Sequence, residues 1–199
     1  KKKKKGYMSE LIVTHKYDRN VRRSFHNRVS DIVIEMANAL MDHWPCGEDY
    51  PLRIGAKRRG CSNGGGSKYV VNIIDHYDTA KKLTEYPSIA KKPVIGTISG
   101  DNETVLRAIC AHEVAHWWHH SRLREEFGAK WGRHISRKRG SVDAPHGSRW
   151  QAIYHDLRYM FVNPETRGTN PWHLDIEYES DDLLITDWLE SKSILDVLP

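Results

Sequence analysis

The sequence predicts an α+β domain, and three observations lead to that class. Apolar residues recur every three or four positions in three separate stretches, which is the pattern of amphipathic helices. Between the first two stretches lie short β-branched runs broken by glycine and proline, which is the pattern of strands. The order of one helix, short strands and two helices lacks the regular βαβ alternation of a parallel sheet. With 199 residues, the chain has the size of one compact domain.

The first predicted helix covers residues 20–44. Its apolar positions are Val21, Phe25, Val29, Val33, Met36, Leu40 and Trp44. The spacings of four and three residues place them on one face, and Pro45 ends the helix. We assign this face to the core. Residues 1–19 open with five lysines, and we expect them to form a basic, flexible N-terminal segment.

Three short strands are predicted next, at residues 52–54, 68–74 and 93–98, in a small, mainly antiparallel sheet. The segment 60–67 joins the first two strands and contains three consecutive glycines. A glycine run can cradle a phosphate, but the GK[ST] ending and the helix of a phosphate-binding loop do not follow it. We therefore predict a flexible hairpin loop.

Two more helices are predicted, from Glu103 to Ser121 and from Ser148 to Phe161. They close a domain that we place at residues 20–163. The remaining residues, 164–199, form an acidic tail or docking segment whose end, 183–198, is compatible with a short helix.

Composition excludes several classes of protein. No apolar run approaches the 18 residues of a membrane span, and no apolar stretch of a secretory signal follows the lysines. The three cysteines form no CxxC pair, which excludes a disulfide framework and a four-cysteine zinc ribbon. We expect an intracellular, cytoplasmic protein that does not contact a membrane.

Charge is unevenly distributed along the chain. The net charge is +5, but residues 164–199 hold nine acidic and two basic residues, so the first 163 residues carry +12. A basic body favours an anionic partner such as DNA or RNA. The alternative is that the charge serves solubility alone.

An HExxH motif in the second helix carries the chemistry. His112 and His116 are four residues apart, so both imidazoles lie on one face and can bind the same Zn²⁺ ion. Glu113 directly follows the first histidine, from where it can act as a general base on water. The alternative is a helix with ordinary histidines, because Trp117, Trp118, His119 and His120 follow at once.

A catalytic zinc site needs a third protein ligand, for which His146 is the best candidate. It lies in the segment Pro145-His146-Gly147 before the third helix, where proline fixes the entry, glycine allows a sharp turn and Trp150 anchors the helix. The extended HExxHxxGxxH motif is excluded because His119 and Arg122 occupy its glycine and third-histidine positions. The remaining alternatives are His119, His120 and His134.

The motif HEVAH followed by PHGxxW resembles the SprT-like zinc metalloproteases, which include the Spartan proteases that act on DNA–protein crosslinks. The resemblance is strongest over residues 90–161. It implies a minimal gluzincin-like fold in which the sheet packs on the HExxH helix. It also implies that His112, His116 and His146 bind zinc and that Glu113 activates water. The Cys-rich zinc ribbon found in many members is missing from this sequence.

The sequence therefore predicts a zinc-dependent endopeptidase that cleaves proteins or peptides. The resemblance implies that its substrates are DNA-associated proteins and that it is associated with the nucleoid or the nucleus. The strand at 94–98 is a candidate edge for binding an extended peptide. Candidate outer-sphere acceptors for the ligand histidines are Asp101, Asp143 and Asp156. Candidates for oxyanion contacts are Arg149 and Tyr154. Candidates for nucleic-acid contact are Arg122, Arg124, Lys130, Trp131, Arg133, Arg137, Lys138 and Arg139.

Two alternatives stay open at this point. One is a basic nucleic-acid-binding or assembly protein in which the zinc is structural. The retained Glu113 argues against it, because a structural site needs no general base. The other is a globular protein in which the motif is fortuitous.

Overall fold

The computed structural model describes residues 10–43, 50–59, 62–66, 68–75, 102–134 and 143–162. These residues form an α+β arrangement of strands and helices, as predicted. In chain order the elements are β1 (Leu11–Lys16), α1 (Arg23–His43), β2 (Tyr50–Lys57), β3 (Asn63–Gly65), β4 (Val70–Ile74), α2 (Asn102–Phe127), a 3₁₀ turn (Gly128–Lys130), α3 (Trp131–His134) and α4 (Ser148–Phe161). The predicted strand at 93–98 and the acidic segment 164–199 lie outside the described residues.

The four strands form a mixed sheet in the order β1-β2-β4-β3. Strand β2 pairs in parallel with β1 and with β4, and β3 pairs antiparallel with β4. The prediction of a mainly antiparallel sheet is therefore wrong for the described strands. The physical reason is the β1–α1–β2 unit, in which α1 makes the crossover that parallel neighbours require.

Strand β1 corrects the predicted flexible segment 1–19, since residues 11–16 of that segment belong to the sheet. Leu11 and Val13 pack against the core, whereas Ile12 and Thr14 are exposed. This alternation is the pattern of a half-buried strand. The alternation covers only these few residues and follows a run of lysines, so it gives a weak signal in the sequence.

The helices agree closely with their predicted bounds. Helix α1 ends at His43, two residues before Pro45, and α4 has the predicted bounds. Helix α2 continues to Phe127, six residues beyond the predicted end. Helix α1 packs on both β2 and α2 with fully buried side chains, among them Val29, Ile32, Val33, Met36 and Leu40.

Helix α2 lies at the centre of the described structure. It contacts α1, α4 and strands β3 and β4. Between Cys110 and His119, nearly every side chain is buried, so the HExxH motif lies inside the core rather than on the surface. Although α2 has 26 residues, neither it nor another described helix combines the length and apolar character needed to cross a bilayer.

Candidate metal centre

Three histidines from two parts of the fold meet at one point. His112 and His116 lie one turn apart on α2, and their Nε2 atoms are 3.2 Å apart. Nε2 of His146 is 3.1 Å from Nε2 of His116 and 3.4 Å from Nε2 of His112. His146 comes from the turn before α4, which is closed by a 2.8 Å hydrogen bond from the Gly147 N–H to the Ala144 carbonyl. The structure thus brings together the three histidines that the sequence predicts as ligands.

Trp150 forms one wall of this cluster. Its side chain is completely buried in the first turn of α4. The centroid of its ring system is 4.6 Å from that of His146, 4.7 Å from that of His112 and 5.0 Å from that of His116. Tyr154, one turn further along α4, stacks on Trp150 at 4.9 Å. Two aromatic layers therefore restrict the positions of all three imidazole rings.

The donor set fits a metal ion better than a hydrogen-bond network. An imidazole nitrogen carries one proton or one lone pair, so Nε2 of His116 cannot hydrogen-bond to both neighbours at once. Nitrogens bound to a tetrahedral zinc ion at 2.0–2.1 Å lie about 3.3 Å from one another. The observed separations match this spacing, and three protein ligands are the number found in catalytic zinc sites.

Burial keeps the two helical imidazoles neutral. It lowers the pKa of His112 to about 3, with a smaller contribution from the charge of His146. The pKa of His116 is also well below its usual value, because of burial first and the neighbouring histidines second. Metal binding requires a neutral imidazole. These side chains therefore need no deprotonation near neutral pH to bind a cation.

Glu113 lies beside His112 in the sequence and is 6% exposed. Burial raises the pKa of its carboxyl to about 8, and the charge of Lys57 opposes the shift only in part. A nearby divalent cation would lower this pKa again. In the metal-free chain, the carboxyl of Glu113 can therefore exchange a proton near neutral pH.

The glycine run packs directly on the HExxH helix. A Cβ added to Gly64 would lie 2.0 Å from the carbonyl oxygen of Glu113, and one added to Gly65 would lie 2.1 Å from Nδ1 of His120. The N–H of Gly66 donates a 2.8 Å hydrogen bond to the same Nδ1 atom. The predicted flexible hairpin loop is wrong, because Asn63–Gly65 forms strand β3 and the two strands that flank the segment, β2 and β4, pair in parallel. The position of the glycines at the candidate centre was not predicted either. Three successive glycines were the available signal, since close backbone contact excludes side chains.

The two other histidines of the helix lie outside the cluster. His119 is fully buried, and its Nε2 is 3.6 Å from Oδ1 of Asp143, which is longer than a hydrogen bond. His120 accepts the hydrogen bond from Gly66. Burial lowers the pKa of His119, although Asp143 opposes the shift, and it lowers the pKa of His120 to about 3. For His134, the structure describes the backbone at the end of α3.

The acidic and basic candidates around the centre pair with one another. Nη1 of Arg149 is 3.0 Å from Oδ1 of Asp143 and 3.4 Å from Oε2 of Glu126. Burial would raise the pKa of Asp143, but His119 and Arg149 outweigh it and lower the pKa. Asp143 therefore interacts with His119 and Arg149. Its predicted role as a direct acceptor for the ligand histidines finds no support in these contacts, and Asp101 lies outside the described residues.

Two of the basic residues assigned to nucleic-acid contact are partly buried and paired with other residues of the fold. Arg122 pairs with Glu125 at 2.9 Å. The guanidinium of Arg124 lies between the rings of Tyr69 and Trp131, 3.9 Å and 4.0 Å from their centroids, and donates to the carbonyl of Gly66. Exposed cations remain at Lys130 and Arg133, whereas Arg137, Lys138 and Arg139 lie outside the described residues.

Comparison with known proteins identified no relative of the chain. No protein-family model, no curated protein and no solved structure matches the chain.

Proposed function

We propose that the chain is a zinc-dependent endopeptidase of the SprT-like type. In this proposal, His112, His116 and His146 hold Zn²⁺, and Glu113 is the general base. The observation that carries it is the convergence of three Nε2 atoms within 3.1–3.4 Å of one another, next to a glutamate buried on the same helix.

Each group has a defined task in peptide hydrolysis. A bound zinc ion supplies a Lewis acid that polarises the scissile carbonyl and brings the pKa of water towards about 7. The imidazoles of the three histidines hold the ion as neutral ligands. The carboxylate of Glu113 takes a proton from the attacking water and donates it to the leaving nitrogen. Burial raises the pKa of this carboxyl and a bound cation would lower it, and these opposing effects favour a group that accepts and releases a proton near neutral pH.

The proposed substrate is an extended segment of a protein. Strand β3 is an edge strand of the described sheet, and Gly64 lies against the backbone of Glu113. A peptide that pairs with this edge would pass close to the general base. The predicted peptide-binding strand at 94–98 lies outside the described residues and stays a prediction.

We extend the proposal to protein substrates that are associated with DNA. The support is electrostatic: the first 163 residues carry +12, and Lys130 and Arg133 are exposed after α2. The alternative, a nucleic-acid-binding protein with structural zinc, explains the charge but gives no role to the buried carboxyl of Glu113.

The test compares the unchanged chain with Glu113→Gln, both loaded with zinc. We expect the variant to keep one zinc ion per chain and to lose about 10²–10⁴-fold in the rate of cleavage of a denatured, fluorescently labelled protein. The assay is run with and without DNA. Glu35→Gln is the matched control, because Glu35 is an exposed α1 residue whose oxygen pairs with Arg107.

Three outcomes are informative. Retained cleavage by Glu113→Gln, with the control equally active, would remove this glutamate from the mechanism. Absence of zinc from the unchanged chain would overturn the proposal. If zinc is bound, no protein is cleaved and DNA is retarded in a gel, the structural-zinc alternative replaces it.

A further inference from the structure

The third histidine of the candidate centre needs a separate explanation, because no helix fixes its position. His112 and His116 are held by the backbone hydrogen bonds of α2. His146 lies instead in the loop before α4, of which the structure describes residues 143–147. Pro145 and Gly147 limit the shape of this loop, but neither residue has a polar side chain that could bind to the helices.

Asp143 makes that connection. Its Oδ1 accepts a 3.0 Å hydrogen bond from Nη1 of Arg149 in the first turn of α4. The same oxygen is 3.6 Å from Nε2 of His119 on α2, one turn beyond His116. The loop is thereby hydrogen-bonded to α4 and lies next to a buried side chain of α2, three residues before His146.

The partners of Asp143 are themselves held firmly. Arg149 is 6% exposed and His119 is fully buried, so neither side chain is free to follow a displaced loop. Arg149 also bonds to Glu126, two helical turns after His119 on α2. The hydrogen bonds therefore run from Asp143 in the loop to Arg149 on α4 and from there to Glu126 on α2. A partly buried charge pair of this kind is directional, because displacement leaves a desolvated charge without its partner.

We infer that Asp143 is a positioning residue, which places the imidazole of His146 against His112 and His116 through its hydrogen bond with Arg149. The inference rests on the metal site of the proposed function. Without the Asp143 carboxylate, the loop loses its charged partner for Arg149, and a neutral amide in its place makes only a weaker hydrogen bond to the same guanidinium. The third ligand then occupies its binding position for a smaller fraction of the time, and metal affinity falls.

The test measures Zn²⁺ affinity of Asp143→Asn by competition with a chromophoric chelator. Outer-sphere substitutions at metal sites reduce affinity about 10–100-fold, and we expect a loss of about tenfold here. The visible spectrum of the Co²⁺-substituted protein should also change, because it reports the geometry of the ligands. Glu103→Gln is the matched control. Glu103 lies on α2, nine residues before His112, and its carboxylate pairs with two arginines, Arg28 and Arg107.

A merely structural role would lower the urea midpoint of the metal-free chain and leave the zinc affinity of the folded protein unchanged. That result, or an equal loss of affinity in Glu103→Gln, overturns the inference while the metal site stands. Absence of zinc binding by the unchanged chain overturns the inference together with the proposed function. If Asp143→Asn does not fold, Arg149→Lys, which keeps the positive charge but not the guanidinium geometry, is judged by the same two outcomes.

Discussion

The candidate centre joins two regions that are built in different ways. Helix α2 supplies His112 and His116 from the core of the structure, where His116 is 9% exposed and its neighbours are fully buried. The loop 143–147 supplies His146, which is exposed. One region is fixed by the regular geometry of a helix, and the other by contacts between distant side chains.

The difference separates the tasks of the two regions. Spacing by four residues gives the helical pair its relative position without further help. The loop histidine instead depends on Trp150 behind its ring and on Asp143 three residues before it. Changes in α2 should therefore affect both the fold and the metal site, whereas changes in the loop should affect mainly the metal site.

Removing one histidine from each region gives the largest expected effect. His116→Ala and His146→Ala should each lower Zn²⁺ affinity by more than about 100-fold, since a direct ligand matters more than an outer-sphere residue. Their effects on the metal-free chain should differ. We expect a loss of about 1–3 kcal/mol in unfolding free energy for the buried His116 and about 0.5 kcal/mol or less for the exposed His146.

Chelator competition and urea unfolding in EDTA measure these two quantities. Unchanged zinc affinity in His146→Ala would show that the loop does not contribute to the centre. Equal destabilisation by the two substitutions would remove the distinction between the regions.

Gly64→Ala tests the packing of β3 on the helix. The new Cβ would lie 2.0 Å from the carbonyl oxygen of Glu113, so the strand must move away from α2. We expect a loss of about 1–3 kcal/mol in unfolding free energy, as for overpacked cores. Gly132→Ala is the control, because an added Cβ there meets nothing within 4 Å. Urea unfolding of both variants checks the prediction, and equal stability of the two would contradict the close contact.

The pH dependence of stability should originate in the helical region. Burial lowers the pKa of His120 to about 3, against 6.5 as the ordinary value, so the unfolded chain binds more protons between these two pH values. The unfolding free energy should therefore fall as the pH is lowered from about 6.5 towards 3, by at most about 1.4 kcal/mol per pH unit for this group.

Urea midpoints of the metal-free chain at pH 7, 6 and 5 measure this slope, and His120→Gln should make it shallower. An unchanged slope in that variant would assign the pH dependence to other groups. Gln keeps a side-chain acceptor for the N–H of Gly66, so the comparison isolates the titration.

The same division explains how much the sequence could predict. Local periodicity was sufficient for helices α1, α2 and α4 and for the helical histidine pair, because those patterns depend on neighbours three or four residues away. His146 was selected from Pro145, Gly147 and Trp150, whose local effects on chain direction follow from their chemistry. Its distance to His116 could only come from the structure.

The wrong predictions concern features that depend on contacts between residues far apart in the sequence. Pairing of β1 with β2 depends on a crossover through α1, so the sheet was wrongly expected to be mainly antiparallel. The glycines at 64–66 were predicted as a flexible loop because nothing in the local pattern shows that Glu113 and His120 lie beneath them. The pairing of Asp143 with Arg149 spans an element boundary and has no periodic signature.

The most direct measurement is the location of zinc in a crystal of the native protein, obtained from anomalous scattering at the zinc absorption edge. One peak is expected about 2.0–2.1 Å from Nε2 of His112, His116 and His146 together. A peak bound by the two helical histidines without His146, or no peak at the cluster after growth with zinc, would contradict the three-histidine centre.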